Sequence, residues 1–403
     1  MSHLCVQNIT KIYGRRSEQA LALLEQGASK DEVLAKTGAT VGVHDVSFEL
    51  KPGEIFVVMG LSGSGKSTLL RCINLLQRPT SGKIFLEDRE LTALSESEIR
   101  EIRRTRFGMV FQRFALLPHR TVLGNVEFGL EVRGVDSSQR RQEAAKWIEL
   151  VGLKGWENRY PRELSGGMQQ RVGLARALAV NPDILLMDEA FSALDPLIRR
   201  DMQDELLALQ EQLHKTIIFI THDLDEALKL GDRIAVMKDG RFVQVGTAEE
   251  LISRPADDYV AEFTRGVDRS KVLTAGAIMR PVYTTAGPNT GPNTMLERMR
   301  RHGISSIFVV DRSRRLLGLV HAADAARAVR TGEALDEYMQ REVITVQEDT
   351  PMAEVIRLGA NISVPIAVCD REGRLQGVIV KGAILATLAQ SNDSPAAGSA
   401  PSA

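Results

Sequence analysis

The sequence predicts a parallel α/β core that a helical segment interrupts and that a smaller, repeated α+β unit follows. Up to about residue 265, apolar strand-like runs alternate with helix-like runs, which is typical of parallel sheets. A glycine-rich turn joins one of these strands to a helix, and after about residue 266 a pattern repeats at a fixed spacing. The 403 residues suggest two or three domains, because single cores rarely exceed about 250–300 residues.

Composition and charge argue against a nucleic-acid-binding, disulfide-rich, zinc-binding or membrane-spanning protein. The 51 Lys and Arg nearly cancel the 52 Asp and Glu, so no basic excess favours a nucleic-acid partner. Cys5, Cys72 and Cys369 form no C-x-x-C pair, which suits a reducing compartment and argues against a disulfide framework or a zinc site. No apolar run approaches the ~20 residues of a membrane span, and the first residues lack a signal-peptide core. We expect a cytoplasmic protein that meets a membrane only through a partner.

The N-terminal segment predicts two strands of one sheet, residues 4–10 and 46–50, separated by an inserted helical pair. The first helix covers residues 17–26. Ser29 and Glu32 form a capping box for the second, and Gly38 ends it.

The glycine-rich turn fits the phosphate loop G-x-x-x-x-G-K-[ST] at every fixed position. It lies between an apolar run (Ile55–Met59) and a helix-like run (Leu69–Leu75), so backbone N–H groups and a helix N-terminus converge on one small volume. The predicted ATP site consists of Gly60, Leu61, Ser62, Gly63, Ser64, Gly65, Lys66, Ser67 and Thr68. Lys66 can reach the β and γ phosphates, and the Ser67 hydroxyl can ligate Mg²⁺.

Two later strands carry candidate catalytic groups at their ends. The run Ile184–Met187 leads to Asp188 and Glu189, which suit a Mg²⁺-proximal acid and a general base that polarises the attacking water. The next strand, from Thr216, leads to His222, whose imidazole can reach the γ-phosphate. A lone histidine is usually structural, but this position at the end of a core strand favours a catalytic role.

A second anion-binding helix start lies in the helical subdomain predicted for about residues 113–172. It comprises Leu164, Ser165, Gly166, Gly167, Met168 and Gln169, before a helix over residues 170–179. Ser165 can cap this helix, and bare glycine amides can bind phosphate. We expect this segment to face the phosphate loop of a second copy, so that two chains enclose two ATP molecules head to tail. By itself the segment could be a simple helix cap.

The order and spacing of these motifs resemble the ATP-binding subunit of ABC transporters across about residues 1–265. The resemblance implies that Tyr13 stacks on adenine, although a core aromatic is the alternative. It further implies that Gln112 links Mg²⁺ and the water to the membrane subunit and that His222 is the switch histidine. It assigns the dimer loop to Ser192, Ala193, Leu194 and Asp195.

The second half contains an internal repeat. Ile307–Asp311 recurs as Ile366–Asp370, and Gly318-Leu-Val recurs as Gly377-Val-Ile, both offset by 59 residues. The pattern predicts a helix, two short strands and a helix in each unit, and each unit is too small to bury its own core well. We predict repeats at 279–335 and 336–390, after an ATPase domain at 1–265 and a linker at 266–278, with a disordered tail at 391–403.

The repeats resemble CBS domains. Their nucleotide pattern G-x-[IV]-[ST]-x-x-D is altered in both copies, with His321 at the Ser/Thr position of the first and Ala383 at the acid position of the second. The repeats contain no phosphate loop or acid pair, so we expect them to regulate rather than catalyse. Basic clusters around Arg300 and Arg314 can be membrane contacts or an ordinary solvated face.

The helical insert, the run Glu189–Pro196 and the repeats together resemble the glycine betaine/L-proline (quaternary amine) uptake subfamily over nearly the whole chain. The resemblance implies an ATP- and Mg²⁺-dependent homodimer that powers uptake of betaine, proline or choline in osmoprotection. It also implies a transmembrane permease, an external solute-binding protein and a peripheral position on the cytoplasmic side of the inner membrane. The alternatives are an importer ATPase for another small solute such as an amino acid, a soluble ABC-type ATPase acting on DNA or ribosomes, and a regulatory protein whose ATPase has decayed.

Overall fold

The computed structural model describes residues 3–265, 267–360 and 364–392. Contacts divide the chain into two compact units, Met1–Phe263 and Thr264–Ala403. The stretch predicted as a linker, 266–278, holds a 3₁₀ helix at Arg269–Lys271 and a short α-helix. The predicted tail overlaps the last helix at residues 391 and 392, and its remainder, 393–403, lies outside the described residues.

The elements of the first unit follow in chain order. Its strands are β1 (Leu4–Tyr13), β2 (Thr40–Leu50), β3 (Ile55–Met59), β4 (Ser81–Leu86), β5 (Arg89–Glu90), β6 (Phe107–Val110), β7 (Ile184–Asp188), β8 (Thr216–Thr221), β9 (Arg233–Lys238) and β10 (Arg241–Gly246). Its helices are α1 (Ser17–Glu25), α2 (Lys30–Thr37), α3 (Lys66–Ile73), α4 (Glu96–Thr105), α5 (Val122–Val126), α6 (Phe128–Val132), α7 (Ser137–Leu150), α8 (Gly166–Ala179), α9 (Pro196–Leu213), α10 (Leu224–Leu230), α11 (Ala248–Ser253) and α12 (Asp258–Phe263), with a 3₁₀ turn at Pro161–Glu163.

A six-stranded sheet in the order β10-β9-β3-β8-β7-β6 forms the core of the first unit. All neighbours are parallel except β10, which runs antiparallel to β9. The β3, β7 and β8 strands are almost fully buried, which matches their continuous apolar sequences. Because β3, β8 and β7 are adjacent and parallel, the residues that follow them meet at one edge of the sheet. The α/β fold class predicted from the sequence is therefore confirmed.

The second sheet is antiparallel, in the order β2-β1-β4-β5. Leu4 pairs with Leu50, as expected for the two predicted N-terminal strands. Helices α1 and α2 fill the connection between β1 and β2 and bury Ala20, Leu24 and Val33 in a small apolar cluster. The predicted capping box of Ser29 is present, and Gly38 ends α2 at φ 69°. These features confirm the inserted helical pair.

Helix α8 joins the helical subdomain to the sheet. One side of it packs with α5 and α7, where Val172 and Ala175 belong to the subdomain's own core. The other side places Leu174 and Leu178 in the core beneath β3 and β7. The predicted helix start at Gln170 is wrong by one turn, because Ser165 already caps the helix through the Met168 amide.

The second unit contains the helices α13 (Ala275–Ile278), α14 (Pro292–His302), α15 (Ala322–Thr331), α16 (Leu335–Tyr338), α17 (Met352–Gly359) and α18 (Lys381–Asn392). Its strands are β11 (Ser306–Val310), β12 (Leu316–His321), β13 (Thr345–Val346), β14 (Ile366–Cys369) and β15 (Leu375–Ile379). The hairpin β11–β12 pairs Val309 with Gly318, and β14–β15 pairs Val368 with Gly377, so the offset of 59 residues holds in three dimensions.

The two repeats exchange segments and share one apolar cluster, in which Phe308 and Leu319 of the first repeat pack with Leu375 of the second. The Arg280 backbone, before the first repeat's hairpin, pairs with Val378 of the second. Reciprocally, Gln340 pairs with Leu319 of the first. Two arginines of the basic clusters form hydrogen bonds within this unit. Arg298 donates to the Thr285 carbonyl, and Arg314 donates to the Leu375 carbonyl.

Candidate active site

The phosphate loop follows β3 and ends in the first turn of α3, which begins at Lys66, and two of its glycines have no room for a side chain. Gly60 has φ 154°, and a Cβ there would lie 2.2 Å from the Met237 carbonyl oxygen. Gly65 has φ 106°, and a Cβ there would lie 2.2 Å from the Gly42 carbonyl oxygen. The backbone of β9 and of β2 therefore lies directly against the loop. Only glycine can adopt these torsion angles and also leave room for the two carbonyl oxygens.

Two polar residues of the loop are buried, Lys66 and Ser64. Lys66 is 5% exposed, and its Nζ donates to the carbonyls of Gly60 at 2.8 Å and Leu61 at 3.0 Å. Burial lowers the pKa of Lys66, while Glu189 and Asp188 act in the opposite direction. The Ser64 hydroxyl is buried and has no hydrogen-bond partner among the described residues. A cationic group and an unpartnered hydroxyl at a helix N-terminus fit a polyphosphate.

Ser67 and Asp188 bring two hard oxygen ligands together. The Ser67 hydroxyl donates to Asp188 Oδ1 at 2.8 Å across the loop and the end of β7. Burial raises the pKa of Asp188 and the Glu189 charge adds to this, while the Ser67 hydrogen bond and the Arg71 charge oppose it. A nearby divalent cation would favour the ionised carboxylate, so this pair of oxygens suits Mg²⁺.

Two of the three predicted catalytic side chains, Gln112 and His222, converge on one carboxylate oxygen of the third, Glu189. Gln112 Nε2 donates to Glu189 Oε2 at 3.0 Å, and His222 Nδ1 lies 3.3 Å from the same oxygen. Gln112 Nε2 also lies 3.3 Å from the Ser192 hydroxyl. Glu189 itself has φ 45°, a left-handed conformation that costs a non-glycine residue about 1–3 kcal/mol. Its amide is held by the Ile220 carbonyl at 3.0 Å, so the backbone that aims the carboxylate is fastened to β8.

Tyr13 lies beside the loop rather than in a core. Its hydroxyl contacts Thr68 Oγ1 at 3.5 Å and donates to Gln77 Oε1. With 36% of the residue exposed, it does not fit the core-aromatic alternative. A Cβ on Gly42 would meet the Tyr13 ring at 2.9 Å, so that glycine lets the ring approach the loop.

The segment Leu164–Gln169, here called the signature segment, lies near the dimer loop rather than at the phosphate loop of its own chain. Among the residues that the structure describes, no hydrogen bond or ion pair joins Leu164–Gln169 to the phosphate loop. The dimer loop follows Glu189 directly, and Asp195 caps α9 through the Ile198 amide at 3.1 Å. The two segments do approach each other, because a Cβ on Gly166 would lie 3.7 Å from Leu194.

Two residues that hold the segments of the site together, Gly240 and Arg199, could not be predicted from the sequence. Gly240 donates its amide to the Ser64 carbonyl at 2.8 Å and accepts from the His44 amide at 2.8 Å, which ties the loop to β2. Arg199 contacts the dimer loop. A glycine in a strand-to-strand turn and an arginine on an amphipathic helix carry no motif, so only the three-dimensional contacts reveal them.

The chain matches the family model described as ABC transporter over residues 43–192 and the CBS domain model over residues 275–331 and 335–390. It is 52% identical over 388 residues to the glycine betaine transport ATP-binding protein OpuAA of Bacillus subtilis (strain 168), covering 96% of this chain and 93% of that protein. It is 53% identical to the glycine betaine/carnitine transport ATP-binding protein GbuA of Listeria monocytogenes serotype 1/2a (strain 10403S), covering 96% and 98%.

A solved structure resembles the first unit. The dimeric, post-hydrolysis structure of the ATP-binding cassette MJ0796 bound to ADP and Pi matches with a TM-score of 0.52 and 34% identity, covering 61% of this chain and 98% of that chain. No helix in the described part of the chain is long and apolar enough to cross a membrane. Because both family models match and these relatives are more than half identical to it over nearly their whole length, the chain belongs to the family of ATP-binding subunits of glycine betaine (quaternary amine) ABC transporters.

Proposed function

We propose that this protein hydrolyses ATP to power the uptake of a betaine-type compatible solute through a membrane permease. The observation that carries the ATPase role is the convergence of Gln112 and His222 on Glu189 Oε2, beside the Ser67–Asp188 pair. The solute class is supported by relatives named for glycine betaine transport that span nearly the whole chain.

In this mechanism Glu189 is the general base that polarises the attacking water. A carboxylate suits this role, and general base catalysis contributes about 10²–10⁴-fold. His222, 3.3 Å from the same oxygen, orients the carboxylate and can reach the γ-phosphate. The position of Gln112 depends on the position of the Glu189 carboxylate, because Gln112 Nε2 contacts both that carboxylate and the Ser192 hydroxyl.

The remaining groups bind the nucleotide. Lys66 exchanges its contacts with the carbonyls of Gly60 and Leu61 for phosphate oxygens, which are stronger partners for an ammonium group. Tyr13 stacks on the adenine ring. Mg²⁺, held by Ser67 and Asp188 with Gln112 nearby, would offset the negative charge of the phosphate oxygens.

Two copies of the chain form the working dimer, with the signature segment Leu164–Gln169 of one copy against the ATP of the other. This arrangement is supported by the dimeric cassette MJ0796, which is 34% identical in a match that covers 61% of this chain, and by the bare amides at the Ser165-capped start of α8. A permease and an external solute-binding protein complete the transporter, and the ATPase subunits are peripheral on its cytoplasmic side.

The test is solute-stimulated ATP hydrolysis by the complete transporter in liposomes, with its solute-binding protein supplied on the outer side. Glycine betaine is expected to stimulate hydrolysis, and a complex carrying Glu189→Gln is the matched control that reports background. Stimulation by an unrelated amino acid but not by betaine, proline or choline would replace the solute assignment and leave the ATPase role intact. Full hydrolysis by the Glu189→Gln complex would contradict the catalytic assignment itself.

A further inference from the structure

One arginine connects the dimer loop to the segment that carries His222. Arg199 is the fourth residue of α9, and helical side chains lean toward the N-terminus, so its guanidinium lies over the loop that precedes the helix. Its Nε donates to the Phe191 carbonyl at 3.2 Å, and Nη2 donates to the carbonyls of Leu194 at 3.1 Å and Ser192 at 3.4 Å. Three carbonyls of the segment after Glu189 therefore share one rigid group.

The remaining arm of the guanidinium reaches Asp223, the residue after His222. Arg199 Nη1 lies 3.2 Å from Asp223 Oδ2, and both side chains are about two-thirds buried, with 28% and 34% exposed. The other oxygen of Asp223 caps α10 by accepting from the Glu226 amide at 3.1 Å. Asp223 is therefore fixed from two sides, by α10 and by Arg199.

We propose that Arg199 is a positioning residue that sets the orientation of His222 against Glu189 according to the conformation of the dimer loop. Glu189 lies between the two segments that Arg199 joins. The Ser192 hydroxyl donates to the Glu189 carbonyl at 2.9 Å on one side, and His222 contacts the Glu189 carboxylate on the other. When a partner subunit moves the loop, the guanidinium transmits the movement to Asp223 and thus to His222. The inference rests on the proposed catalytic roles of Glu189 and His222.

The geometry requires arginine rather than any cation. A guanidinium offers five N–H donors in a planar fork and can hold three carbonyls and a carboxylate together, whereas an ammonium group has three donors at one point. Arg199→Lys is therefore expected to keep the electrostatic attraction to Asp223 but to lose some of the hydrogen bonds to the loop carbonyls. The adjacent Arg200 is exposed and supplies the matched control, because removing its charge leaves these contacts in place.

The experiment measures kcat, KM and calorimetric ATP affinity for the complete transporter carrying each variant. Arg199→Gln and Asp223→Asn are each expected to lower kcat by about 10- to 100-fold, because small displacements of catalytic groups cost about this much, while ATP affinity changes little. Arg199→Lys should be intermediate and Arg200→Gln unchanged. Since the two residues act as a unit, the double variant should be no slower than the slower single variant.

The following results distinguish a failure of this inference from a failure of the proposed function. Unchanged kcat in both single variants, or losses that multiply in the double variant, would overturn the inference. Asparagine also caps helices well, so Asp223→Asn tests the idea even if Arg199→Gln does not fold. His222→Ala in the same series is expected to abolish most turnover. If it does not, the proposed site is wrong; if it does while the other variants stay fast, only the role of Arg199 is wrong.

Discussion

Adding one methyl group at Gly65 tests how the phosphate loop is held. An alanine at φ 106° adopts a strained backbone that costs about 1–3 kcal/mol. Its Cβ would also lie 2.2 Å from the Gly42 carbonyl oxygen, and contacts under 3.0 Å do not occur, so loop or strand must move by about 0.8 Å. Overpacking of this kind adds about 1–3 kcal/mol. Gly65→Ala is therefore expected to lose about 2–6 kcal/mol, a large part of a typical domain's stability.

Gly63→Ala is the matched control, because Gly63 also has a positive φ, 79°, but a Cβ there meets nothing within 4 Å. It should show only the backbone strain of about 1–3 kcal/mol. The assay is denaturant unfolding of the full-length protein, combined with calorimetric ATP binding. Gly65→Ala should also lose ATP affinity, because the displaced loop carries the amides and Lys66. Equal losses of stability in the two variants, or normal ATP affinity in Gly65→Ala, would refute the contact argument.

Three further predictions concern the catalytic base, a buried carboxyl and the dimer. Glu189→Gln should bind ATP normally but turn over about 10²–10⁴-fold more slowly, as measured by calorimetry and phosphate release, and normal turnover would assign the base elsewhere. Burial raises the pKa of Glu226, so its ionisation destabilises the fold above that pKa, and the penalty disappears as the pH falls through it. Glu226→Gln, which can keep an oxygen to accept from Gln203, should therefore raise the melting temperature at about pH 8 and much less at about pH 5, and an equal gain at both would contradict this. Cysteines introduced by Leu61→Cys and Ser165→Cys should crosslink only between chains in the presence of ATP, whereas a crosslink within one chain on a denaturing gel would contradict the head-to-tail dimer.

The sequence alone specified the residues of the candidate site, because each motif combines a short run of residues with one strand or helix end. The phosphate loop needs only a strand, glycines and a helix in succession, and the structure has β3 and α3 on either side of it. Asp188 and His222 were placed at strand ends by the same local pattern. The repeat was also recognisable, because an offset of 59 residues is a property of the sequence itself.

The tertiary structure alone decided how these pieces are held together. The strand order brings the ends of β3, β8 and β7 side by side, and this order depends on which apolar faces pack against which helices rather than on any local run. The contact between Gly42 and Gly65, the link from Gly240 to Ser64, and the contact of Arg199 with Asp223 join residues that are far apart in the sequence, and each involves at least one residue that belongs to no motif. The pairing of Arg280 with Val378 and of Gln340 with Leu319 joins different repeats, and no local pattern in the sequence marks it. Local patterns specify which groups are present, and long-range packing specifies how they are positioned.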